Sequence, residues 1–102
     1  VVLFLTAEEK GLVGSAYYVD HPIVPLYKTI ANINIDGIAV FDEFKSIVGI
    51  GSEFSTLEKF LKETAYEMEL KLSSIPSQFN YSDAFFKSDQ ASFAMAGVPS
   101  IT

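Results

Sequence analysis

Apolar residues follow two patterns along this chain: short runs, and one long stretch at helical spacing. The runs are rich in β-branched and aromatic residues, which favours strands. Strands are therefore predicted at Val1–Thr6, Lys28–Ile35, Ser46–Ile50 and Val98–Thr102. The helical spacing covers Ser55–Leu72, where apolar and charged residues occupy opposite faces, and we interpret the apolar stripe as core packing. The polar and aromatic stretch that follows, residues 73–87, is interpreted as a loop.

Local signals set the ends of the predicted helices. Ser55 with Glu58 three residues later is typical of a capping box at the start of the long helix. A short helix is predicted at about Leu12–Val19 and ends before Pro22, because the residue preceding a proline disfavours helical angles. Another short helix is predicted at Ser88–Ala96, capped by the side chain of its first residue.

Strands that alternate with helices predict an α/β protein. The expected architecture is a three-layer α/β/α arrangement with a mostly parallel central sheet, since a strand–helix–strand unit forms a right-handed parallel crossover. Both ends of the chain are apolar, whereas domains usually begin and end in polar segments. We therefore expect residues 1–102 to be an internal part of a larger domain, with that architecture present only in part.

Composition narrows the classes of partner. The 102 residues are 49% hydrophobic, too apolar for a disordered segment, yet the apolar runs are far too short to span a membrane. Seven lysines, no arginine and thirteen acidic residues give a net charge of −6, which argues against a nucleic-acid partner. Without cysteine there is neither a disulfide framework nor a thiolate metal site.

Three carboxylates are predicted to converge at one edge of the sheet. Glu8 and Glu9 follow the first predicted strand and Asp36 follows the second. The functional crevice of an open α/β sheet lies beyond the carboxyl ends of its strands. Carboxylates brought together there repel one another unless they are protonated or share a cation. A zinc, magnesium or calcium ion would relieve that repulsion, with one glutamate as ligand and its neighbour as general base.

A second interpretation of the same residues needs no metal. Acidic residues are favoured in the first turn of any helix, because they interact well with the helix dipole. The pair Asp36-Gly37 after a strand is also an ordinary turn sequence. Spacing alone leaves both interpretations open.

Three segments resemble the signature motifs of the zinc-dependent exopeptidases typified by aminopeptidase Y and bacterial leucyl aminopeptidase. Phe4–Ser15 (FLTAEEKGLVGS) resembles the motif in which a strand runs into two glutamates and then Gly-Leu-x-Gly-Ser. Ala31–Gly37 (ANINIDG) resembles the Asn-x-Asp signature, and Ser88–Ser100 (SDQASFAMAGVPS) resembles the stretch Ser-Asp-x…Phe…Gly-x-Pro. The segments occur in the family's order and together span nearly the whole chain.

The resemblance implies a role for each matched acidic residue. Glu8 would be the general base that deprotonates the attacking water, Glu9 a ligand of one zinc ion and Asp36 a ligand of the other. Family members use five ligands, and the other three, two His and a bridging Asp, would lie outside residues 1–102. We therefore expect the isolated chain to have little or no activity, because two ligands cannot hold two zinc ions in the required geometry.

Residues of the last motif are weaker candidates for the substrate pocket. They are Ser88, Asp89 and Gln90, the last at a position where the family often has His. For Ser88 and Asp89 we prefer a capping role at the following helix. The aromatic residues Tyr81, Phe85 and Phe86 could line a pocket for an apolar side chain or shield the core, and we favour shielding.

The remaining conspicuous residues are expected to be structural. His21, the sole histidine, is predicted to be exposed at the end of the first short helix, where it favours the helix C-terminus, and not to be a metal ligand. Gly11, Gly14 and Ser15 are expected to serve close backbone approach and packing.

The resulting functional hypothesis is a metal-dependent aminopeptidase, which hydrolyses the peptide bond at the N-terminus of peptides with co-catalytic zinc, two ions per complete domain. The alternatives are a non-catalytic binding domain on the same scaffold and a single-zinc aminoacyl cyclase relative. Retention of the carboxylates speaks against the first, and the Gly-Leu-Val-Gly-Ser sequence after the glutamates speaks against the second. A peptide substrate is expected, as is self-association through uncovered apolar surfaces. Location stays open, although export or the periplasm would fit the family.

Overall fold

The computed structural model describes residues 1–36 and 43–102. Over these residues the chain forms four helices and four short strands. The helices are α1 (Val13–Asp20), α2 (Leu57–Glu67), α3 (Tyr81–Phe86) and α4 (Gln90–Met95). The strands are β1 (Asn32–Ile33), β2 (Ser46–Ile47), β3 (Lys71–Leu72) and β4 (Ser100–Ile101). Single 3₁₀ turns occur at Glu8–Lys10, Leu26–Lys28 and Ser52–Phe54. The predicted turn at Asp36-Gly37 extends outside the described residues, because Gly37 is not among them.

The strands pair in parallel, as the sequence predicts. β1 pairs with β4 and β2 pairs with β3. Ile50 and Thr102 exchange two backbone hydrogen bonds of 2.7 and 3.1 Å, which join the segment after β2 to the end of β4. The α/β prediction is confirmed, with part of a parallel sheet formed by the described residues.

Helices lie on both faces of these strands. Ile33 and Ile101 are register partners, so their side chains share one face, and Asn34 lies on the opposite face of β1. The Asn34 side chain hydrogen-bonds to Gln90 of α4. On the Ile101 face, a Cβ built on Gly49 would meet the side chains of both Leu61 of α2 and Ile101. The sheet therefore has α4 on one face and α2 on the other.

The first apolar run is not a strand. Val1 and Phe4 are 93% and 96% exposed, and the structure assigns no strand to residues 1–6. A strand needs a neighbouring strand whose backbone N–H and C=O groups form hydrogen bonds with its own. β1 finds that neighbour in β4, with backbone bonds such as Asn34 N–H to the Ile101 carbonyl at 2.8 Å. The strand predicted at Val1–Thr6 is therefore wrong. The residues there favour a strand, but no neighbouring strand pairs with them in the described part of the chain.

The other predicted strands are shorter than the patterns suggested. Of the strand predicted at Lys28–Ile35, only β1 is observed, and Lys28 belongs to the preceding turn Leu26–Lys28. Ser46–Ile50 contracts to β2, and Val98–Thr102 contracts to β4. Extended residues flank each strand, and only the hydrogen-bonded part of each run counts as sheet.

The long helix α2 ends five residues earlier than predicted. Glu69 takes a left-handed conformation, with φ of 56°, which an α-helix cannot continue through. The backbone then turns, and Lys71–Leu72 becomes β3. The predicted capping box is also absent: the Ser55 hydroxyl accepts from the Leu57 N–H at 3.2 Å, and the Glu58 side chain accepts from Lys62. The helix was correctly placed, but its ends were not.

A helix lies within the predicted loop at residues 73–87. Asn80 caps α3, its side-chain oxygen accepting from the Asp83 N–H at 3.2 Å. This is the usual way in which Asn satisfies a free N–H at a helix start. The signal was present in the sequence, but the aromatic content of the segment obscured it.

The core gathers around α4 and β4. Its buried apolar residues are Ala65, Phe85, Ala91, Phe93, Val98 and Ile101. Ser15 of α1 is fully buried and lies 2.8 Å from the hydroxyl of Ser92 on α4, so the structural role expected for it is confirmed. Among the described residues, no helix has the length and apolar character needed to cross a bilayer.

Candidate functional site

The paired glutamates sit on a strained turn. Glu8–Lys10 forms a 3₁₀ turn between Ala7 and Leu12, both of which have φ of 60° although neither is glycine. The Leu12 N–H donates to the Glu8 carbonyl at 2.9 Å, which closes the turn. Left-handed conformations at non-glycine residues cost on the order of 1–3 kcal/mol and persist where surrounding contacts impose them, often at functional sites.

Two glycines permit this turn. Gly11 has φ of 95°, a conformation that side chains disfavour. Gly14 lies in the first turn of α1 and packs against Thr6: a Cβ there would collide with the Thr6 carbonyl oxygen and lie 2.9 Å from the Thr6 nitrogen. The predicted close approach is confirmed at Gly14. At Gly11, where an added Cβ would meet nothing within 4 Å, the requirement is conformational.

Acidic neighbours surround Glu8, which is half-buried. Partial burial raises the pKa of its carboxyl, and the negative charges of Asp36, Asp89 and Glu9 raise that pKa further. A hydrogen bond from Ser88 opposes them by stabilising the carboxylate. The predicted convergence of Glu8 with Asp36 is therefore present, and Asp89 joins them.

Ser88 contacts this carboxylate group instead of capping α4. Its side chain is buried, with 7% exposure, and its hydroxyl donates to Asp36 Oδ2 at 3.4 Å. Ser88 Oγ also accepts a hydrogen bond from Asn34 Nδ2 at 2.9 Å. The residue preceding α4 is Asp89, and its side chain makes no capping hydrogen bond. The capping role that the sequence favoured for both residues is wrong, because their side chains turn toward the carboxylates and the interior.

Asp89 carries an unusual oxygen. Its Oδ1 is buried and has no hydrogen-bond partner among the described residues. A buried oxygen without a donor is costly, so such a group is a common mark of a site that some other group completes. Sequence reasoning placed Asp89 in the third motif but did not predict its position beside Glu8. The adjacent Ser88-Asp89 pair, both polar before an apolar helix, was the available signal.

Gln90 is wholly interior. It has 0% exposure, and its Nε2 donates to the Phe85 carbonyl at 2.7 Å. Its Oε1 accepts from Asn34 Nδ2 at 3.3 Å. The structure therefore places Gln90 behind Ser88, where it contacts protein groups on both sides of its amide.

The described residues do not by themselves form a metal site. Carboxylate oxygens suit zinc, and the mutual repulsion around Glu8 is what a cation would relieve. Within residues 1–36 and 43–102, however, no group of three or more His, Cys, Asp or Glu side chains is arranged to hold a metal ion. Glu9 is exposed, so its carboxylate is accessible to a metal ion. A complete coordination shell, however, needs more donor atoms than these residues supply.

A cavity of about 700 Å³ reaches Asp36 and Ser88. Most of its other wall is aliphatic, from residues of β1, β2, α2 and β4 and the segments beside them. These include Ile33, Ile35, Ile47, Val48, Leu61 and Ile101. The chamber beside the carboxylates is thus apolar and suits a hydrocarbon side chain better than a charged one.

The aromatic trio lines a different cavity. Tyr81, Phe85 and Phe86 border a space of about 480 Å³ together with Phe54. Phe85 is buried and packs edge-on against Phe86, with ring centroids 5.1 Å apart. Phe86 itself is 57% exposed. The favoured shielding role therefore holds for Phe85, and the trio does not border the cavity that reaches Asp36.

His21 has the exposed position that was predicted for it. It lies exposed at the C-terminal end of α1, where its Nδ1 is 3.2 Å from the Tyr17 carbonyl. Its ring also stacks on Tyr17, with centroids 4.5 Å apart. Both contacts are local to one helix turn.

Comparison with known proteins decides the family. The sequence model described as "Peptidase family M28" matches residues 1–102. The chain belongs to peptidase family M28. The probable leucine aminopeptidase 2 of Aspergillus oryzae (strain ATCC 42149 / RIB 40) is 36% identical to this M28 chain over 108 residues. That alignment covers 96% of this chain and 20% of the relative, so the chain spans about a fifth of the relative's length. No solved structure matches the chain significantly.

Membership in the M28 family confirms the resemblance drawn from the three motifs. The roles of Glu8, Glu9 and Asp36 stay predictions, and so do the substrate-pocket roles of Ser88, Asp89 and Gln90. The structure adds a grouping that the motifs did not state: Ser88 hydrogen-bonds to Asp36, and Asp36, Ser88 and Asp89 each influence the pKa of Glu8.

Proposed function

We propose that the polypeptide carrying this chain is a metal-dependent aminopeptidase, which hydrolyses the N-terminal peptide bond of peptides with co-catalytic zinc. The observation that carries the proposal is the grouping of Glu8 with Asp36 and Asp89 in a member of an M28 peptidase family. The neighbouring negative charges raise the pKa of Glu8, and such an arrangement is unfavourable in a purely structural protein, whereas a hydrolytic site gives it a use.

Glu9 and Asp36 would be the metal ligands that this chain contributes. Each would hold one zinc ion, and bound zinc would polarise the scissile carbonyl. The Ser88 hydroxyl supports Asp36 by donating a hydrogen bond to its Oδ2. Two carboxylates do not complete two zinc sites, so further ligands would come from outside the described residues.

Glu8 would act as the general base. It would take a proton from the attacking water and pass a proton to the leaving amine. Its half-buried position and acidic neighbours raise the carboxyl pKa, which makes the carboxylate a stronger base than an exposed glutamate. The hydrogen bond from Ser88 keeps the charged form accessible.

The aliphatic cavity beside Asp36 would receive the side chain of the N-terminal residue. Its walls offer few polar partners, so an apolar residue such as leucine should be preferred over a charged one. The name of the Aspergillus oryzae relative, a probable leucine aminopeptidase, points the same way.

Leucine p-nitroanilide hydrolysis by the full polypeptide tests the proposal. Glu8→Gln keeps the shape of the side chain but cannot accept the proton, so kcat should fall about 10²- to 10⁴-fold. Glu63→Gln is the matched control, because Glu63 is an exposed glutamate on α2 that pairs with Lys59. Equal activity in the wild-type protein and Glu8→Gln would refute the role of Glu8.

Metal content separates the proposal from its alternatives. The purified polypeptide should contain about two zinc ions per chain by elemental analysis. Chelation should abolish hydrolysis and added zinc should restore it. One bound zinc would favour the cyclase alternative, whereas no zinc and no hydrolysis would favour a binding domain on the same scaffold.

A further inference from the structure

A chain of buried side-chain amides lies behind the carboxylates. It begins at the Phe85 carbonyl, which can only accept a hydrogen bond, and Gln90 Nε2 donates to it at 2.7 Å. Gln90 is fully buried, so its amide cannot turn over without leaving polar groups unpaired inside the protein. The Gln90 Oε1 must then point the other way, toward Asn34.

The direction of Gln90 sets the direction of Asn34. Asn34 Nδ2 lies 3.3 Å from Gln90 Oε1, 2.9 Å from Ser88 Oγ and 3.1 Å from Thr102 Oγ1. Three oxygens surround one NH₂ group, and an inverted Asn34 amide would face Gln90 Oε1 with an oxygen of its own. The arrangement therefore fixes Nδ2, not Oδ1, against Ser88.

The direction of Asn34 in turn sets the direction of Ser88. A serine hydroxyl has one proton, which it can give to one acceptor at a time. Because Ser88 Oγ already accepts from Asn34 Nδ2, its proton is free for a carboxylate, and both Asp36 Oδ2 and Glu8 are its partners. If the Asn34 amide were inverted, the Ser88 proton would turn to Asn34 Oδ1 and away from the carboxylates.

We propose that Gln90 and Asn34 are positioning residues that aim the Ser88 hydroxyl proton at the carboxylates of Asp36 and Glu8. Neither amide touches a reacting atom. The relay runs from the Phe85 carbonyl through two amides to one hydroxyl, and each step has a donor and an acceptor that cannot exchange roles. Its effect on catalysis rests on the function proposed above, whereas the orientation of the amides does not.

The relay predicts which substitutions at Gln90 are tolerated. Histidine can donate from one ring nitrogen and accept at the other, so Gln90→His preserves the pattern of donor toward Phe85 and acceptor toward Asn34. Leucine has a similar size but no polar atom, so Gln90→Leu breaks the relay. In the full polypeptide, Gln90→Leu should lower kcat/KM by about 10- to 100-fold, mainly through kcat, and Gln90→His should restore most of it.

A double-mutant cycle separates the relay from packing. If Gln90 acts through Ser88, adding Gln90→Leu to Ser88→Ala should change kcat/KM by less than about twofold. Ser92→Ala is the matched control, because it removes a hydroxyl of α4 that bonds to Ser15 and takes no part in the relay. Independent, multiplying losses from Ser88→Ala and Gln90→Leu, or equal losses from Gln90→His and Gln90→Leu, would overturn the proposal.

A readout without substrate tests the relay even if the polypeptide hydrolyses no peptide. With ¹⁵N-asparagine labelling, the Asn34 side-chain NH₂ resonances should shift and exchange about tenfold faster in Gln90→Leu, because one acceptor is lost. Ser88→Ala should shift the same resonances, whereas Ser92→Ala should not. Unchanged Asn34 resonances in Gln90→Leu would refute the relay. If the wild-type protein does not hydrolyse leucine p-nitroanilide but the Asn34 resonances shift as expected, only the proposed function is refuted.

Discussion

Two regions of this molecule bury their apolar residues to very different extents. The first, around α1, α4, β1 and β4, encloses Phe93 at 1% exposure and links its segments through buried hydroxyls and amides. The second, around β2, α2 and β3, buries Ala65 but leaves Phe60 and Met68 58% and 61% exposed. Helical spacing predicts which face of a helix is apolar, whereas burial depends on what lies opposite that face.

The comparison also concerns polar groups. In the first region Ser15, Gln90 and Ser100 are buried and all hydrogen-bonded. In the second, charged pairs such as Lys62–Glu58 lie in solvent, where an ion pair contributes little. Buried polar networks are costly unless complete, and when complete they hold side chains in one arrangement. The candidate site lies against the region in which Ser15, Gln90 and Ser100 are paired in this way.

The largest expected effect is the loss of Phe93. Phe93→Ala would leave a cavity beside Tyr18, whose ring centroid is 5.7 Å away, and should lower the free energy of unfolding by about 3–5 kcal/mol. Phe60→Ala, the matched change in the second region, should cost less than about 1 kcal/mol because Phe60 is already 58% exposed. Urea unfolding of the full polypeptide measures both. Equal losses would show that α2 is buried as deeply as α4.

A substitution at Gly14 should have the next largest effect. Gly14→Ala would push a methyl group against the Thr6 backbone and should destabilise the protein by about 1–3 kcal/mol, because backbone cannot move aside as a side chain can. Val13→Ala is the control on the same helix, since Val13 is 52% exposed. A lower thermal midpoint for Gly14→Ala than for Val13→Ala is the expected outcome. Equal midpoints would mean that Thr6 does not hold the turn that carries Glu8.

Much of the fold was predictable where the signal is local. Helical spacing located α2, the proline rule ended α1 near Pro22, and strand–helix alternation predicted parallel pairing. The predicted lengths of the strands and of α2 were wrong, because the length of an element depends on the segments that pack or pair with it. Residues 1–6 have strand preferences without a strand partner in the described chain, and a left-handed Glu69 ended α2 where the apolar stripe continued.

The site was predictable at the level of strand ends and not at the level of hydrogen bonds. The sequence predicts that Glu8 and Asp36 meet because both follow strand-like segments, although residues 1–6 form no strand in the structure. The bond from Asn34 to Ser88 joins residues 54 positions apart, and no local rule indicates it. The preference of Ser for helix caps predicted a local role for Ser88, whereas in the structure its hydroxyl contacts Asn34 and Asp36.

Tyr81 joins α3 to the turn Ser52–Phe54, and its removal should have a modest, pH-dependent effect. Its hydroxyl accepts from the Gly51 N–H at 3.0 Å and donates to Glu53, so Tyr81→Phe should cost about 1 kcal/mol at neutral pH. Burial and the Glu53 bond raise the pKa of Tyr81 from 10.0 to about 12. Tyr66→Phe, at an 86% exposed position, is the control.

The sign of the Tyr81 effect follows from that raised pKa. The folded protein favours the neutral phenol, so the stability it gains is complete below pH 10 and is lost as the pH rises through about 12. Tyr81→Phe should flatten this alkaline part of the stability profile, as measured by urea unfolding at several pH values. A profile identical to that of the wild-type protein would contradict the hydrogen bond to Glu53.

The smallest expected effect tests how closely Asp89 acts on Glu8. Asp89 ranks behind burial and Asp36 among the causes that raise the pKa of Glu8, so Asp89→Asn should lower that pKa only in part. The folded protein holds the Glu8 proton more firmly than the unfolded chain does.

The stabilisation that comes from protonated Glu8 is therefore fully present below the ordinary pKa of 4.5 and is lost as the pH rises through the raised pKa. Asp89→Asn should move that loss to lower pH in the metal-free protein, as followed by NMR titration of the Glu8 carboxyl carbon. Asp83→Asn removes an exposed carboxylate that pairs with Lys87 and should leave the titration unchanged. An unchanged Glu8 titration in Asp89→Asn would separate Asp89 from the site, and the buried oxygen of Asp89 would then belong to the packing of α4 and not to the chemistry of the carboxylates.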